Sequence, residues 1–137
     1  MAGELTLRVI TPDRIALDTT ADSVVFPAAD GLMGVLPRHA PMVSAVEAGI
    51  LTYTSGGEEH WLFISGGFVE VRDNTVRFVA RAGELAGEID EQRAREAERR
   101  ARERLEQAKA GSNEIDAVRA EAALRRAILR LQVRESA

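Results

Sequence analysis

The 137-residue sequence lacks cysteine altogether and contains few aromatic residues. Without cysteine there is no disulfide framework, no thiolate metal site and no cysteine nucleophile. No apolar run approaches the length of about 18 residues that a membrane-spanning helix requires. The first residues, Met1 to Glu4, do not join a basic segment to an apolar one. We therefore expect no secretory signal and a cytosolic protein.

Basic residues are not in excess, although they are concentrated at one end of the chain. The net charge is −4; residues 1–83 contain 6 basic and 10 acidic residues, whereas residues 84–137 contain 12 of each. Eleven of those 12 basic residues are arginine. A general nucleic-acid binder carries a net basic surface, so this balance disfavours that class. The charge density is typical of solvated helices with ion pairs.

Both common glycine-rich nucleotide loops are missing. Neither GxxxxGK followed by Ser or Thr nor GxGxxG occurs. Any nucleotide would therefore be held by side chains and would be bound without turnover. His39 and His60 are far apart and have no carboxylate cluster nearby, which predicts no metal site. No triad-like grouping is present, so we expect no catalytic centre.

The first 85 residues have a strand-like pattern. Short apolar or alternating stretches predict strands at 5–10, 22–27, 42–48, 50–54, 60–65, 68–72 and 76–80. Residues 30–41 are interrupted by glycine and proline and predict a loop, in which His39 makes a loop-shaping hydrogen bond. The pair Gly66-Gly67 predicts a break between two strands. Short strands at this spacing predict an all-β sandwich over residues 1–85.

The last third of the chain has a helical pattern. Residues 88–110 contain no glycine or proline and are rich in Ala, Glu and Arg. Gly111-Ser112-Asn113 interrupts this pattern, which resumes over residues 114–133. The sequence therefore predicts an antiparallel αα-hairpin over 88–135 and an α+β protein. The apolar stripe of the first helix is mostly alanine and buries little area, so we expect a weakly held hairpin.

The arginines of the two predicted helices allow two interpretations. Arg119, Arg126 and Arg130 share one stripe of the second helix, and Arg93 and Arg100 lie two turns apart on the first. In one interpretation they are solvated or form ion pairs, such as one between Asp90 and Arg93, worth about 0.2–0.5 kcal/mol. In the other, antiparallel packing brings the stripes together to capture a polyphosphate.

Three motifs together resemble the epsilon subunit of bacterial F-type ATP synthase. They are Gly31-x-x-Gly34-x-x-Pro37-x-His39-x-Pro41, Ser65-Gly66-Gly67-Phe68-x-Glu70-Val71 and Ile89-Asp90-x-x-Arg93-Ala94. The resemblance implies a sandwich of about ten strands docked on the gamma subunit and the c-ring. It also implies a mobile hairpin that can extend into the alpha/beta head and block ATP hydrolysis. The resemblance therefore implies a non-catalytic rotor subunit of a proton-coupled synthase, and this subunit requires no cofactor. It also implies that the subunit lies at the cytoplasmic face of the bacterial membrane as a peripheral protein.

The resemblance further implies a regulatory ATP site and a contact loop. The arginines of the second helix align with those of the family if the turn around Ala110–Asn113 contains a few more residues than in the family. The implied nucleotide-binding residues are Glu84, Ile89, Asp90, Arg93, Ala94, Arg100, Arg119, Arg126 and Arg130. The implied contacts with the c-ring and gamma are Gly31, Leu32, Met33, Gly34, Pro37, His39 and Pro41. Leu32 and Met33 stand where the family often has an acidic residue, so we expect a more apolar contact.

Two other functions are compatible with parts of the pattern. One is a stand-alone ATP-sensing module that belongs to no synthase, which co-purification with gamma would distinguish. The other is an adaptor with a coiled-coil tail, or a nucleic-acid binder. Sustained Leu/Ile heptads and a basic excess are both missing, which disfavours this second alternative.

Overall fold

The computed structural model describes residues 4–111 and 116–136 and divides into two compact units, Met1–Leu85 and Ala86–Ala137. Among the described residues, the first unit contains eight strands, and the second contains one turn of 3₁₀ helix and two α-helices. Their bounds are β1 Leu5–Ile10, β2 Ile15–Ala21, β3 Ser23–Ala28, β4 Gly31–Val35, β5 Met42–Val46, β6 Gly49–Ser55, β7 Glu58–Arg72, β8 Thr75–Leu85, the 3₁₀ turn Ala86–Glu88, α1 Glu91–Lys109 and α2 Ala117–Glu135.

The eight strands form the expected β-sandwich. Their order is β2-β1-β8-β7-β6-β3-β4, and β5 also pairs with β7. The long strand β7 belongs to both layers, since residues 58–64 pair with β6 and residues 67–71 pair with β5. At the change of partner, a Cβ on Gly67 would collide with the carbonyl oxygen of Val79. Only glycine fits there, so Gly66-Gly67 marks a bend within one strand.

The structure corrects three details of the predicted strands. The described residues form eight strands instead of about ten, and β7 is one continuous strand where two shorter strands, 60–65 and 68–72, were expected. Strand β2 was not predicted, although its burial alternates from Leu17 to Ala21. The predicted loop at 30–41 begins with a strand, β4, which pairs with β3 at the edge of the sheet. An edge strand tolerates glycines because only one of its sides is hydrogen-bonded within the sheet.

The core of the sandwich is aliphatic with a small aromatic centre. Leu5, Leu7 and Val9 alternate along β1 and are completely buried. Phe26 and Phe78 meet edge to face, with ring centroids 5.4 Å apart. Such pairs add about 0.5–1.5 kcal/mol beyond the apolar area that they bury. This packed core holds the strands that carry the surface residues in place.

Aspartates fix the starts of both long helices. The Asp90 carboxylate accepts a hydrogen bond from the Arg93 backbone N–H at 3.1 Å. The Asp116 carboxylate accepts from the backbone N–H groups of Val118 and Arg119 at 3.0 and 3.2 Å. These N-caps make α1 and α2 begin slightly later than the predicted residues 88 and 114. The predicted turn ends at Ser112 and Asn113, which lie outside the described residues.

The hairpin seam consists mainly of small side chains, as its composition predicted. Ala94 and Ala101 of α1 and Ala120 and Ala127 of α2 are all buried. Leu131 and Val133 supply larger buried side chains near the end of α2. Small side chains let two helices approach closely but bury less apolar area than leucines. The seam therefore stabilises the hairpin only modestly.

Candidate functional site

A groove with a volume of about 640 Å³ runs between α1 and α2. Alanine methyl groups supply its apolar lining, and arginines supply most of its polar lining. Its lining residues are Ala97, Arg100, Ala101, Arg104, Asp116, Arg119, Ala120, Ala123, Arg126, Ala127 and Arg130. With five arginines and one aspartate, the lining side chains sum to +4 in a protein whose net charge is −4.

Four of the groove arginines have no acidic partner among the described residues. The side chains of Arg100, Arg104, Arg119 and Arg126 form no ion pair or hydrogen bond within residues 4–111 and 116–136. Guanidinium groups that lie together repel one another, and each offers a planar fork of donors that fits phosphate oxygens. The groove is therefore chemically suited to a polyanion.

The structure brings together four of the predicted nucleotide-binding residues. Arg100 on α1 and three arginines on α2 (Arg119, Arg126 and Arg130) all line the groove. Arg104 also lines it and was missed by the sequence interpretation. Its position four residues after Arg100, on the same helix face, is the signal that could have found it.

The residues of the Ile89-Asp90-x-x-Arg93-Ala94 motif are arranged differently. Ile89 and Ala94 are buried, whereas Asp90 and Arg93 are exposed. The Asp90 carboxylate meets the backbone N–H of Arg93, so the predicted ion pair is replaced by an N-cap. None of the four residues lines the groove. The motif therefore sets the start of α1, the helix that carries Arg100 and Arg104.

Glu84 lies in the other unit. It is on β8, opposite Phe63 of β7, and lines a polar pocket of about 220 Å³. Arg14 and Arg81 line the same pocket, and the Arg14 guanidinium donates to the Gly83 carbonyl at 2.9 Å. Within the sandwich, Glu84 thus has its own polar surroundings.

The predicted contact loop consists of a strand followed by a turn that hydrogen bonds hold in place. Gly31, Leu32, Met33 and Gly34 belong to β4, and the Leu32 side chain is 75% exposed. The segment from Leu36 to Pro41, which contains Pro37, joins β4 to β5.

Two hydrogen bonds hold this turn. The His39 ring Nδ1 lies 2.7 Å from the Ala40 carbonyl oxygen, to which it donates, in agreement with the expected loop-shaping bond. The backbone N–H of Arg38 donates to the Asn74 side chain at 2.7 Å, which ties the turn to the β7–β8 connection. The loop thus presents two exposed leucines, Leu32 and Leu36, on a fixed support.

A row of apolar side chains crosses the outer face of one layer of the sandwich. In register, it runs from Ala45 to Phe68, Val79, Ile10 and Ile15, on five neighbouring strands. Phe68 is 49% exposed and Ile15 is 59% exposed. Contiguous exposed apolar side chains mark interaction surfaces. The sequence interpretation missed this row because it becomes visible only when the strand register is known.

Three titratable groups among the described residues show clear pKa shifts: Tyr53, Glu91 and Arg95, whose pKa is raised by its hydrogen bond with Glu91. A hydrogen bond from Arg95 lowers the pKa of Glu91 on the exposed face of α1. Burial raises the pKa of Tyr53, whose ring stacks on His60 in the sandwich. None of these three groups lines the groove. Within the described ranges, no three side chains are grouped to hold a metal ion, and no helix is long and apolar enough to cross a membrane.

The described residues thus form a β-sandwich unit followed by a helical hairpin with an arginine-lined groove. Two family models match it: the beta-sandwich domain of the ATP synthase delta/epsilon chain over residues 4–86, and the long alpha-helix domain of the same chain over residues 88–135. The chain therefore belongs to the delta/epsilon chain family of ATP synthase, among its epsilon chains. The resemblance seen in its three motifs is confirmed.

Individual relatives agree with this assignment. An ATP synthase epsilon chain of Symbiobacterium thermophilum is 49% identical over 131 residues, which are 95% of this chain and 92% of the relative. One from Nitratidesulfovibrio vulgaris is 44% identical over the full length of both chains.

A solved structure is also similar. A chain in the Euglena gracilis mitochondrial ATP synthase assembly of OSCP, F1 and c-ring has a TM-score of 0.74 and 26% identity, covering 90% of this chain and 76% of that one. A Tetrahymena thermophila chain, at 12% identity, a TM-score of 0.54 and coverage of 98% and 96%, supports the fold alone.

Proposed function

We propose that this chain is a non-catalytic central-stalk subunit of a proton-translocating F-type ATP synthase, peripheral to the cytoplasmic face of a bacterial membrane. Its sandwich docks on the gamma subunit and the c-ring, and its hairpin inhibits ATP hydrolysis with ATP as a regulatory ligand. The support is the family membership and a relative solved within an OSCP, F1 and c-ring assembly. The observation that carries the regulatory part is the groove of arginines on both helices.

ATP in the groove would stabilise the closed hairpin. Arg100 and Arg104 come from α1, and Arg119, Arg126 and Arg130 come from α2, so one polyphosphate contacts both helices. The anion also removes the repulsion among the guanidinium groups. Each charge-assisted hydrogen bond contributes about 1.5–3 kcal/mol, which is large beside a seam of small side chains. Bound ATP therefore favours the closed over the open hairpin.

When ATP is scarce, the same arginines are available to another partner. The weak alanine seam allows the hairpin to open at a cost of a few kcal/mol. In the open state its arginines meet acidic surfaces of the alpha/beta head and hold the rotor against hydrolysis. ATP shifts this equilibrium only by its difference in affinity for the closed and open states.

Two surfaces of the sandwich suit two partners. The apolar row from Ala45 to Ile15 is continuous over five strands, and we assign it to the gamma subunit. The β4 strand and its turn expose Leu32 and Leu36 at the sheet edge, and we assign them to the c-ring. Apolar contacts along the row supply the affinity for the gamma subunit. The hydrogen-bonded turn after β4 fixes the orientation of the sandwich on the c-ring.

The regulatory proposal is tested with the assembled F1 complex. ATP hydrolysis is measured over a range of ATP concentrations with the full chain, with a chain that lacks residues 88–137, and with Arg100→Gln/Arg126→Gln. We expect the truncated chain to assemble and to relieve inhibition. The double variant should weaken the ability of ATP to relieve inhibition.

Arg102→Gln is the matched control for the double variant, because Arg102 lies on α1 but pairs with Glu98 outside the groove. It should behave as the wild type does. Loss of assembly on truncation would show that the hairpin also docks. An unchanged ATP dependence in the double variant would contradict ATP sensing by the groove and leave the subunit assignment intact.

A further inference from the structure

Two arginines flank the apolar row of the sandwich on β8, the middle one of its five strands. Side chains two residues apart on a strand point to the same face, so Arg77, Val79 and Arg81 share the outer face. Burial along β8 agrees, because both arginines are exposed while Phe78 and Ala80 between them are buried. At about 3.3 Å per residue, the two arginines lie about 13 Å apart, one on each side of the row.

Neither of these arginines has an acidic partner among the described residues. Within 4–111 and 116–136, the side chains of Arg77 and Arg81 form no ion pair and no hydrogen bond. The other four arginines of the sandwich each have a contact: Arg8 with Asp18, Arg14 with the Gly83 carbonyl, Arg38 with Glu4 and Arg72 with Asp73. The two arginines left unpaired are therefore the two that flank Val79.

The position of Arg77 is unfavourable for the isolated sandwich. Its register partner on β1 is Arg8, and like charges that face each other on neighbouring strands destabilise a sheet. The Nε of Arg8 is shielded from solvent and finds no hydrogen-bond acceptor in the part of the chain that the structure describes. Glu70 is opposite Arg77 on β7, yet the two side chains form no ion pair. A carboxylate from another molecule, placed beside Arg77, would offset this repulsion.

The arrangement fits a protein partner better than other polyanions. The four gaps between five strands, at about 4.8 Å each, make the apolar row about 19 Å wide. An apolar centre with charged side chains at its rim is the usual anatomy of a protein–protein interface. Nucleic acid requires a net basic surface, whereas residues 1–83 contain 6 basic and 10 acidic residues. The complementary surface is therefore a protein with an apolar strip and acidic side chains beside it.

We propose that Arg77 and Arg81 determine the specificity of this docking face: each receives a carboxylate of the gamma subunit, on opposite sides of the apolar row. The apolar row supplies area, and the two arginines fix how gamma lies across β8. The inference rests on the proposed function, because it takes gamma as the protein that covers the row.

The test is the association of the full chain with the F1 complex of the same synthase, purified without this subunit, followed by surface plasmon resonance over a range of salt. Arg77→Gln and Arg81→Gln should each weaken binding about threefold at low salt, and the double variant about tenfold. The loss should lie mainly in the association rate. At about 1 M salt, where the screening length is about 3 Å, the variants and the wild type should converge.

Two further variants keep a general effect of charge apart from a specific contact. Arg72→Gln is the matched control, because Arg72 is exposed on β7 but pairs with Asp73, four residues away from Phe68 of the row. It should change neither the affinity nor its dependence on salt. Arg77→Lys should keep most of the dependence on salt, since it retains the charge.

A loss of folding is excluded by a separate measurement. The fluorescence of Trp61, the single tryptophan of the chain, follows unfolding of the sandwich. Arg77→Gln should unfold at the wild-type temperature or above it, because the substitution removes the repulsion with Arg8. A clearly lower unfolding temperature would show that Arg77 stabilises the sandwich itself and would overturn the proposal.

Cross-linking identifies the subunit that Arg77 meets. The chain has no cysteine, so a photoreactive group attached to Arg77→Cys labels one position. The cross-linked product should contain gamma, and a product with alpha or beta instead would overturn the inference.

The outcomes separate this inference from the proposed function. Wild-type affinity in the double variant, or an equal loss in Arg72→Gln, would overturn the inference and leave docking on gamma intact. A loss with Phe68→Ser at every salt concentration, beside a loss with the arginine variants only at low salt, would support both. Absence of binding by the wild type would contradict both.

Discussion

The outer face and the groove face of α1 carry the same residue, arginine, in two different situations. On the outer face, Arg95 pairs with Glu91 at 2.8 Å and Arg99 pairs with Glu103 at 3.2 Å. On the groove face, Arg100 and Arg104 have no side-chain partner among residues 4–111 and 116–136. The two faces of α1 have a similar density of charged residues. They differ in whether an acidic side chain pairs with each arginine. Unpaired arginines facing a second helix indicate a site, whereas paired ones indicate a solvated surface.

Helix spacing explains this difference for Arg104 but not for Arg100, which has Glu96 four residues before it and Glu103 three residues after it. Residues three and four positions apart are neighbours on a helix, and each outer arginine has a glutamate at such a position. The corresponding neighbours of Arg104 are Arg100, Ala101, Gln107 and Ala108, none of which is acidic. Arg104 is therefore left for a partner that does not come from its own helix.

The largest expected effect is stabilisation of the hairpin by ATP. A hundredfold excess of ATP over its Kd should stabilise the closed hairpin by about 2.7 kcal/mol, because only the closed state holds both sets of arginines. Helix unfolding followed by circular dichroism measures this gain.

Matched variants sharpen this first prediction. Arg100→Gln/Arg126→Gln should lose most of the gain, and Arg99→Gln/Arg102→Gln, which removes two paired outer arginines, should keep it. An equal loss in the two double variants would remove the distinction between the faces of α1.

The next effect concerns the N-caps. Asp90→Ala and Asp116→Ala should each destabilise the hairpin by about 1 kcal/mol, since each leaves N-terminal backbone N–H groups without their carboxylate. Asp90→Asn should restore most of this stability, because asparagine caps nearly as well. Chemical denaturation of the helices measures all three variants.

Asp90→Asn also tests whether Asp90 acts only as the N-cap of α1 or contacts the ligand as well. If Asp90→Asn keeps its stability but loses ATP binding, the Asp90 carboxylate belongs to the nucleotide site as well. If both properties are retained, Asp90 acts through the start of α1.

A smaller effect is expected from the outer ion pairs. Arg99→Gln should destabilise the helical unit by only about 0.2–0.5 kcal/mol, and less at high salt, because Arg99 and Glu103 are both largely exposed. Denaturation at low and high salt measures this loss. A cost above 1 kcal/mol would mean that the outer face is more than a solvated surface.

The smallest effect is a dependence on pH. The hydrogen bond from Arg95 places the pKa of Glu91 below its ordinary value of 4.5 in the folded state. The stabilisation is therefore present above pH 4.5 and is lost as the pH falls through the folded pKa. The difference in stability between the wild type and Glu91→Gln should be present at neutral pH and should vanish in acid. A difference that grows in acid would contradict this pairing.

Much of the fold could be predicted from the sequence. Short apolar or alternating stretches identified β1, β3 and β5–β8, and a long segment without glycine or proline identified α1. The β4 strand was missed because its glycines and neighbouring prolines resemble a loop, while its strand character comes from pairing with β3. The bend of β7 was taken as a break because the close approach of Gly67 to Val79 is a tertiary contact.

The groove could be predicted only in part. Helical spacing identified Arg119, Arg126 and Arg130 as one stripe, and all three line the groove. The same spacing did not show that Asp90 caps a helix, since a carboxylate three residues before an arginine fits an ion pair equally well. The apolar row on the sandwich required the pairing of five strands, which no local pattern contains.

The most direct test of the central claim is a calorimetric titration of ATP into the wild type, Arg126→Gln and Arg102→Gln. The groove account predicts saturable one-to-one binding that Arg126→Gln weakens about tenfold or more and Arg102→Gln leaves unchanged. Equal weakening by both substitutions, or no binding by the wild type, would contradict the claim that the unpaired arginines of the groove form an anion site.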